Sequence, residues 1–126
     1  MNKTNDKVMS DRQRKLVREL IRLKRNCSEP NWDGYHADSM SYESYRRAKA
    51  FVRRFPDSIT LPLPAVDPSG LVYLQWGDVS NSFLTLKFGA DTPQTVFCMY
   101  RSDDHVDGIR VNNDAKVLND LILKYV

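Results

Sequence analysis

The strongest constraint on the fold of this 126-residue sequence is a series of three short apolar runs between Gly70 and Arg101. The runs cover residues 71–76, 82–88 and 95–100, and the segments between them contain the turn-forming residues Gly, Asp, Asn and Pro. Runs of this length, rich in aromatic and β-branched residues, predict strands rather than helices. We therefore expect an antiparallel meander in which alternate side chains form one apolar face that other elements must cover.

A predicted helix near the start of the chain can supply part of that cover. Apolar residues recur at intervals of four, three and four between Leu16 and Cys27. This spacing predicts an amphipathic helix from Arg12 to about Arg25, with Asp11 at its N-cap or in its first turn.

Two further helices are predicted on either side of the meander. Ser41 is a good N-cap residue, and a helix is expected from there to Phe55, where Pro56 stops it. A last helix is expected after an Asn cap at 112–113 and continues through Tyr125 with an apolar stripe. Both helices have the amphipathic pattern of elements that pack on a sheet.

Together these elements predict a single-domain α+β fold. Its antiparallel meander of about three to five strands packs against two N-terminal helices and one C-terminal helix. We expect the domain to cover residues 11–126, with residues 1–10 as a flexible N-terminus. Segment 59–66 contains Pro62 and Pro64, which lack amide donors, so it is expected to be an extended edge segment.

Composition narrows the class of protein. The chain is 41% hydrophobic and 28% charged, as in globular proteins with one core. No apolar stretch approaches the ~20 residues of a spanning helix, and residues 1–7 lack a hydrophobic signal core, so we expect a cytoplasmic protein with no membrane partner. Cys27 and Cys98 lack a Cys-x-x-Cys spacing and are predicted to be reduced thiols that pack as small apolar residues.

The charges divide the chain into two unlike halves. Residues 1–55 hold fourteen Lys or Arg against seven Asp or Glu, a net charge of +7, whereas residues 56–126 have a net charge of −4. The cations expected on the outer faces of the first two helices are Arg14, Arg18, Arg22, Arg25, Arg46, Lys49 and Arg53. Such a set predicts a surface that binds an acidic partner, either a protein or a nucleic acid. The alternative is an ordinary solvated helix face.

The loop between the first two helices carries a distinctive motif. It reads Asn31-Trp32-Asp33-Gly34-Tyr35-His36-Ala37, and the later run Gly70-Leu71-Val72-Tyr73-Leu74-Gln75-Trp76 completes the pattern. The pattern resembles a group of small uncharacterised bacterial proteins that typically show Trp-Asp-Gly-Tyr-Gly-Ala, a helix and a strand ending in Trp. The resemblance covers about residues 31–90 and implies a fold, with no activity to transfer. His36 stands where that group usually has Gly, a residue that favours positive φ.

Two sets of polar side chains were candidates for chemistry. Asp33, Tyr35 and His36 could form an acid/base or ligand site, although Asp33 also fits an Asx-type turn, and Trp32 could be a contact or a structural residue. The turn at 103–107 holds three Asp and one His, but their spacing does not match a calcium loop. We expect a solvated turn there, and we predict no metal, no cofactor and no catalytic residue.

Several functions stay open from the sequence. The leading prediction is a non-enzymatic interaction protein whose cationic helix pair binds an acidic macromolecular surface. Because small bacterial proteins of this kind serve mobile elements, an anti-CRISPR-like inhibitor of host defence or an antitoxin is expected. The alternatives are a nucleic-acid-binding regulator, an oligomer subunit, and a small enzyme or ligand-binding protein with its site around Asp33, Tyr35 and His36.

Overall fold

The computed structural model describes residues 9–77, 82–91, 94–102 and 105–126, and it has the predicted α+β fold. Its elements in chain order are α1 (Asp11–Asn26), α2 (Tyr42–Val52), β1 (Leu63–Val66), β2 (Val72–Gly77), β3 (Ser82–Phe88), β4 (Thr95–Ser102), β5 (His105–Asn112) and α3 (Ala115–Tyr125). The predicted flexible N-terminus falls mostly on residues 1–8, which lie outside the described ranges.

All five strands form one antiparallel sheet in the order β1-β2-β3-β4-β5, so the predicted meander is confirmed. The register places Pro64, Leu74, Leu86, Cys98 and Ile109 in one row across the sheet. The first four are buried, and Ile109 on the edge strand β5 is partly exposed. The proline-rich segment supplies β1, the opposite edge strand, as expected from its missing amide donors.

The three helices cover the apolar face of the sheet. Leu16 and Leu20 of α1, Ala48 of α2, and Leu118 and Ile122 of α3 belong to one buried cluster with the inward side chains of β2, β3 and β4. Helix α1 contacts β1, α2 contacts β2 and β3, and α3 contacts β3. The helices therefore form one layer on one side of the sheet.

Helices α1 and α2 run antiparallel within this layer. Near the start of α1, the Gln13 side-chain amide donates to the carbonyl oxygen of Phe55, which follows α2, at 2.9 Å. Near the end of α1, the Lys24 ammonium lies 5.5 Å from the ring centre of Tyr42, the first residue of α2. The connecting loop returns the chain to its starting side, where the Met40 amide donates to the Cys27 carbonyl.

Capping residues define the helix ends. Ser10 is the N-cap of α1 and forms a capping box with Gln13, so Asp11 occupies the second of its two predicted positions, in the first turn. Ser41 caps α2 as predicted. Asp114, not an Asn at 112–113, caps α3, and its carboxylate accepts from two amides of the first turn.

Helix α2 ends at Val52, three residues before the predicted end at Phe55. The Arg53 amide donates to the Lys49 carbonyl and closes the last helical turn, whereas the amides of Arg54 and Phe55 donate to carbonyls three residues back, so the chain tightens into a final turn before Pro56. Pro56 disfavours helical geometry at Phe55, so the helix does not extend through the predicted end.

Candidate interaction surface

The outer side of α1 carries the four predicted arginines, and all four are exposed. Arg14 forms an ion pair with Asp11, and Arg22 forms one with Glu19, each at 2.6 Å. The set is completed by Arg18 and Arg25, which have no carboxylate within ion-pair distance among the described residues. The helix as a whole has seven Lys or Arg and two acids, so the pairs leave its surface strongly cationic.

Helix α2 adds the three remaining cations of the predicted set. Arg46 is exposed and makes a two-point contact with Glu43 at 3.1 and 2.9 Å. Lys49 is partly buried, and its ammonium lies 5.7 Å from the ring centre of Tyr45. Arg53 is exposed at the C-cap. Each cation of α2 therefore has a different environment.

The outer sides of α1 and α2 point in the same direction. Both helices bury one stripe against the same face of the same sheet, so the opposite stripes face away from it. The helical periods alone could not establish this, because they do not show on which face of the sheet a helix lies. We call this outward side of the two helices the basic helix surface.

The acids on this surface are held in the ionised form. The hydrogen bond from Arg14 lowers the pKa of Asp11, and the hydrogen bond from Arg46 lowers the pKa of Glu43. Both carboxylates therefore stay charged well below neutral pH. The basic helix surface is a mixture of both signs with an excess of positive charge.

Apolar groups lie among these charges. Ile21 on α1 is 39% exposed, and Tyr42 at the start of α2 is 61% exposed. The Lys24 ammonium lies within cation–π distance of both Tyr42 and Tyr45, so it links the two helices across their outer side. Arginine beside exposed aromatic and aliphatic groups is typical of protein–protein contact surfaces.

In the loop after α1, Trp32 and Asp33 have structural roles. The ring N–H of Trp32 donates to the Asp38 carbonyl at 2.7 Å, and the partly buried ring packs on the core. One oxygen of Asp33 accepts from the amides of Tyr35 and Ala37, which is the Asx-type arrangement that its sequence context favoured. These contacts fold the loop back on the domain.

Tyr35 and His36 lie at the outer edge of the same loop. The Tyr35 side chain is 85% exposed. The His36 backbone has a φ of 66°, so this histidine occupies the left-handed conformation that Gly would favour. Within the described residues, no hydrogen bond joins the side chain of one of Asp33, Tyr35 and His36 to the side chain of another, and the Asp33 carboxylate accepts from the Tyr35 backbone amide.

A groove of about 750 Å³ lies between α2 and α3, on a flank of the helix layer. Its lining includes Arg47 and Arg54, two cations outside the predicted set. Arg47 is buried, and its guanidinium donates to the carbonyls of Gly89 and Asp91 at 2.6 and 2.9 Å. Its spacing of three from Ser44 and four from Phe51, both on the inner stripe, was the signal that could have indicated this.

The other predicted features lie elsewhere. Cys27 and Cys98 are buried and not bonded to each other, and burial raises the pKa of Cys98 to about 11. No cluster of three or more metal-binding side chains occurs in the described ranges, and Asp103 and Asp104 of the acidic turn fall outside them. No helix in the described part of the chain is both long and apolar enough to cross a bilayer.

These contacts separate structural residues from available ones. The exposed arginines of α1 and α2 lie where a partner can reach them, whereas Trp32, Asp33 and Arg47 hold the fold together. Comparison with protein-family models, curated proteins and solved structures found no match for this chain.

Proposed function

We propose that this chain is a non-enzymatic interaction protein whose basic helix surface binds an acidic surface of a partner protein. The observation that carries the proposal is the combination on one side of the molecule of exposed arginines with the exposed side chains of Ile21 and Tyr42. Arginine and tyrosine are enriched among the residues that dominate binding energy at protein interfaces. A cytoplasmic location, which is part of the proposal, suits the two buried thiols.

The acids on the surface favour a protein partner over a nucleic acid. Asp11 is 95% exposed beside Arg14, and Glu19 and Glu43 neighbour other arginines of the set. A phosphate backbone would meet these carboxylates as like charges at close range. A protein partner can place its own acids opposite Arg18 and Arg25 and its cations or amides opposite the carboxylates.

The experiment is affinity capture with the tagged protein from a bacterial lysate, with and without nuclease, followed by a binding measurement on the purified partner. We expect a partner with an acidic surface that survives nuclease treatment. In the variant with Arg14, Arg18 and Arg22 all replaced by Glu, the affinity should fall by roughly a hundredfold or more, because attraction becomes repulsion at three adjacent positions.

A matched control is the variant with Arg110, Lys116 and Lys124 replaced by Glu, which changes the charge equally on residues outside α1 and α2. This control should bind like the wild type. Equal binding by the folded α1 variant would refute the proposal. Capture of nucleic acid alone, with log affinity falling by about 0.9 per neutralised phosphate for each unit of log salt, would support the nucleic-acid-binding alternative instead.

An inhibitor of host defence or an antitoxin stays a prediction within this proposal. Both would act by covering a working surface on another protein, and the identity of the captured partner distinguishes them. The enzyme or ligand alternative around Asp33, Tyr35 and His36 is less favoured, because Asp33 accepts hydrogen bonds within its own turn and Tyr35 extends into solvent.

A further inference from the structure

We infer that the groove between α2 and α3 binds a small organic molecule that carries a phosphate group. The groove is bounded by the second half of α2, the residue before β4, the start of α3 and, at the start of α1, by Met9 and Gln13. Its volume of about 750 Å³ is in the range of sites that hold small ligands. The inference goes beyond the proposed function, because the groove lies on the flank of α2 rather than on the basic helix surface, with Arg53 at the boundary between them.

The charges that line the groove favour an anion. Arg47, Arg53 and Arg54 contribute three guanidinium groups, and none of the lining residues that the structure describes is Asp or Glu. Glu43 lies near Arg47, at 3.5 Å, but a closer two-point contact holds it to Arg46. The groove therefore has an excess of positive charge that its own residues do not neutralise.

Arg47 supplies the observation that points to a ligand rather than to a merely cationic surface. Its side chain is only 5% exposed, and its Nη1 atom donates to two backbone carbonyls. Its Nε–H has no hydrogen-bond partner among the described residues. A buried N–H without a partner costs about 1–3 kcal/mol. The edge of a guanidinium that bears Nε is also the edge that phosphate and carboxylate oxygens bind in a two-point fashion.

A second buried polar atom lies across the same groove. The Oδ1 atom of Asn119, on α3, is buried without a partner among the described residues. An anion satisfies the Arg47 Nε–H, but the Asn119 Oδ1 atom is an acceptor and requires a ligand group that donates a hydrogen bond. Gln94 and Asn113 present further side-chain amides there, joined to each other by a contact of 3.4 Å. A phosphate joined to a polar organic part, as in a nucleotide, satisfies both ends.

The test is titration of the isotope-labelled protein with inorganic phosphate, adenosine, AMP and succinate, followed by NMR. The Arg47 Nε–H and the Asn119 side-chain amide are the reporting signals. We expect AMP to shift both signals at lower concentration than phosphate or adenosine does. Tighter binding of succinate than of AMP would overturn the assignment to a phosphate ligand.

Variants distinguish binding in the groove from a general effect of the protein's charge on AMP affinity. Asn119→Asp keeps the size of the side chain and places a negative charge in the groove, so AMP affinity should fall roughly tenfold or more. Arg54→Gln should also weaken binding, whereas Asn26→Asp and Arg110→Gln, which lie elsewhere, should not. No shift of Arg47 or Asn119 by phosphate or AMP at millimolar concentration overturns the inference, as does unchanged affinity in folded Asn119→Asp. Neither result bears on the partner capture that tests the basic helix surface.

Discussion

Asp67 determines the geometry of the connection between β1 and β2. One of its oxygens accepts from the Ser69 amide, the Ser69 hydroxyl and the Leu71 amide at 2.6–3.0 Å, and the other lies 2.6 Å from the Lys87 ammonium. Burial by itself would raise the pKa of Asp67, but the hydrogen bonds outweigh it and the pKa is lowered. The ionised carboxylate therefore stabilises both the turn and the neighbouring strand β3.

We predict that Asp67→Asn lowers the free energy of unfolding by about 2 kcal/mol at neutral pH, since the amide weakens every one of these contacts. Because the folded-state pKa is lowered, this stabilisation is present above the unfolded-state pKa, near ~4, and is lost as the pH falls through the folded-state pKa. Urea unfolding at several pH values should show the difference between wild type and variant shrinking in acid. Asp57→Asn, at an exposed residue, serves as the control, and a difference that stays constant with pH would contradict the prediction.

Two glycines with similar backbone angles should respond very differently to a methyl group. Gly34 and Gly70 have φ values of 79° and 88°. A Cβ at Gly34 meets nothing within 4 Å, whereas at Gly70 it would overlap the backbone carbonyl of Ser39. Gly34→Ala should cost about 1 kcal/mol for the left-handed conformation, and Gly70→Ala about 3 kcal/mol or more. Equal losses in thermal or urea unfolding would show that the loop after α1 moves away from Gly70.

At the residue scale, the sequence predicted turns better than it predicted side-chain contacts between distant positions. The Asx-type turn at Asp33 is confirmed, because the Asp33 carboxylate acts on the backbone of its own turn. The pairing of Asp67 with Lys87 joins positions twenty apart along the chain. Such a contact depends on the strand register, which local residue types do not specify.

Ser44 attaches α2 to the sheet through a single hydroxyl. Its Oγ donates to the Phe88 carbonyl at 2.6 Å and accepts from the Val72 amide at 2.7 Å. The residue is fully buried, and the first pair of the β2–β3 ladder, Tyr73 with Lys87, lies directly beside these two backbone groups. The hydroxyl thus satisfies one donor and one acceptor at the end of two strands.

We predict that Ser44→Ala destabilises the protein by about 2–4 kcal/mol, because it leaves two buried backbone groups without partners. Ser41→Ala should cost only about 1 kcal/mol, since it removes the N-cap contact of the same helix at a less buried site. Urea unfolding of both variants measures the contrast. A loss at Ser44 no larger than that at Ser41 would mean that water takes the place of the hydroxyl.

At the element scale, helix and strand types followed from local periodicity, and most helix ends lie close to their predicted positions, whereas the end of α2 and the cap of α3 do not. The N-cap of α3 is Asp114 rather than a neighbouring Asn, because the Asp114 carboxylate accepts from two first-turn amides. The sequence alone did not distinguish among these three possible caps. On the apolar stripe of α3, Leu118 and Ile122 are buried in the core and Leu121 and Tyr125 pack against it, whereas Val117 is 39% exposed. Which side of a short helix becomes buried is decided by the surface on which it packs.

The whole molecule has one core to which all three helices contribute. Trp76 lies within it, 3% exposed, with its ring stacked on Phe55 at 6.2 Å and its ring N–H donating to Thr60. The fluorescence of this tryptophan therefore reports on the junction of helices and sheet. Trp32, the second tryptophan of the chain, can be removed to isolate that signal.

We predict that the Trp32→Phe variant unfolds in a single transition with the same urea midpoint by Trp76 fluorescence and by far-ultraviolet circular dichroism. The reason is that the helices and the sheet share one core, so none of them is expected to stay folded when the others unfold. A fluorescence change that precedes the loss of helical signal would contradict this and would identify an independently stable part. The comparison is made within one variant, so any destabilisation by the substitution does not affect it.

The sequence by itself determined the kinds of element, their order, the meander and the concentration of positive charge in the first half. These depend on side-chain periodicity and on turn residues, which act over a few positions. Only the tertiary structure decided that the basic faces of α1 and α2 point the same way, that Arg47 is buried against Gly89 and Asp91, and that a polar groove separates α2 from α3. These features arise from contacts between positions far apart in the chain, and they exist only once the helices have packed on a particular face of the sheet.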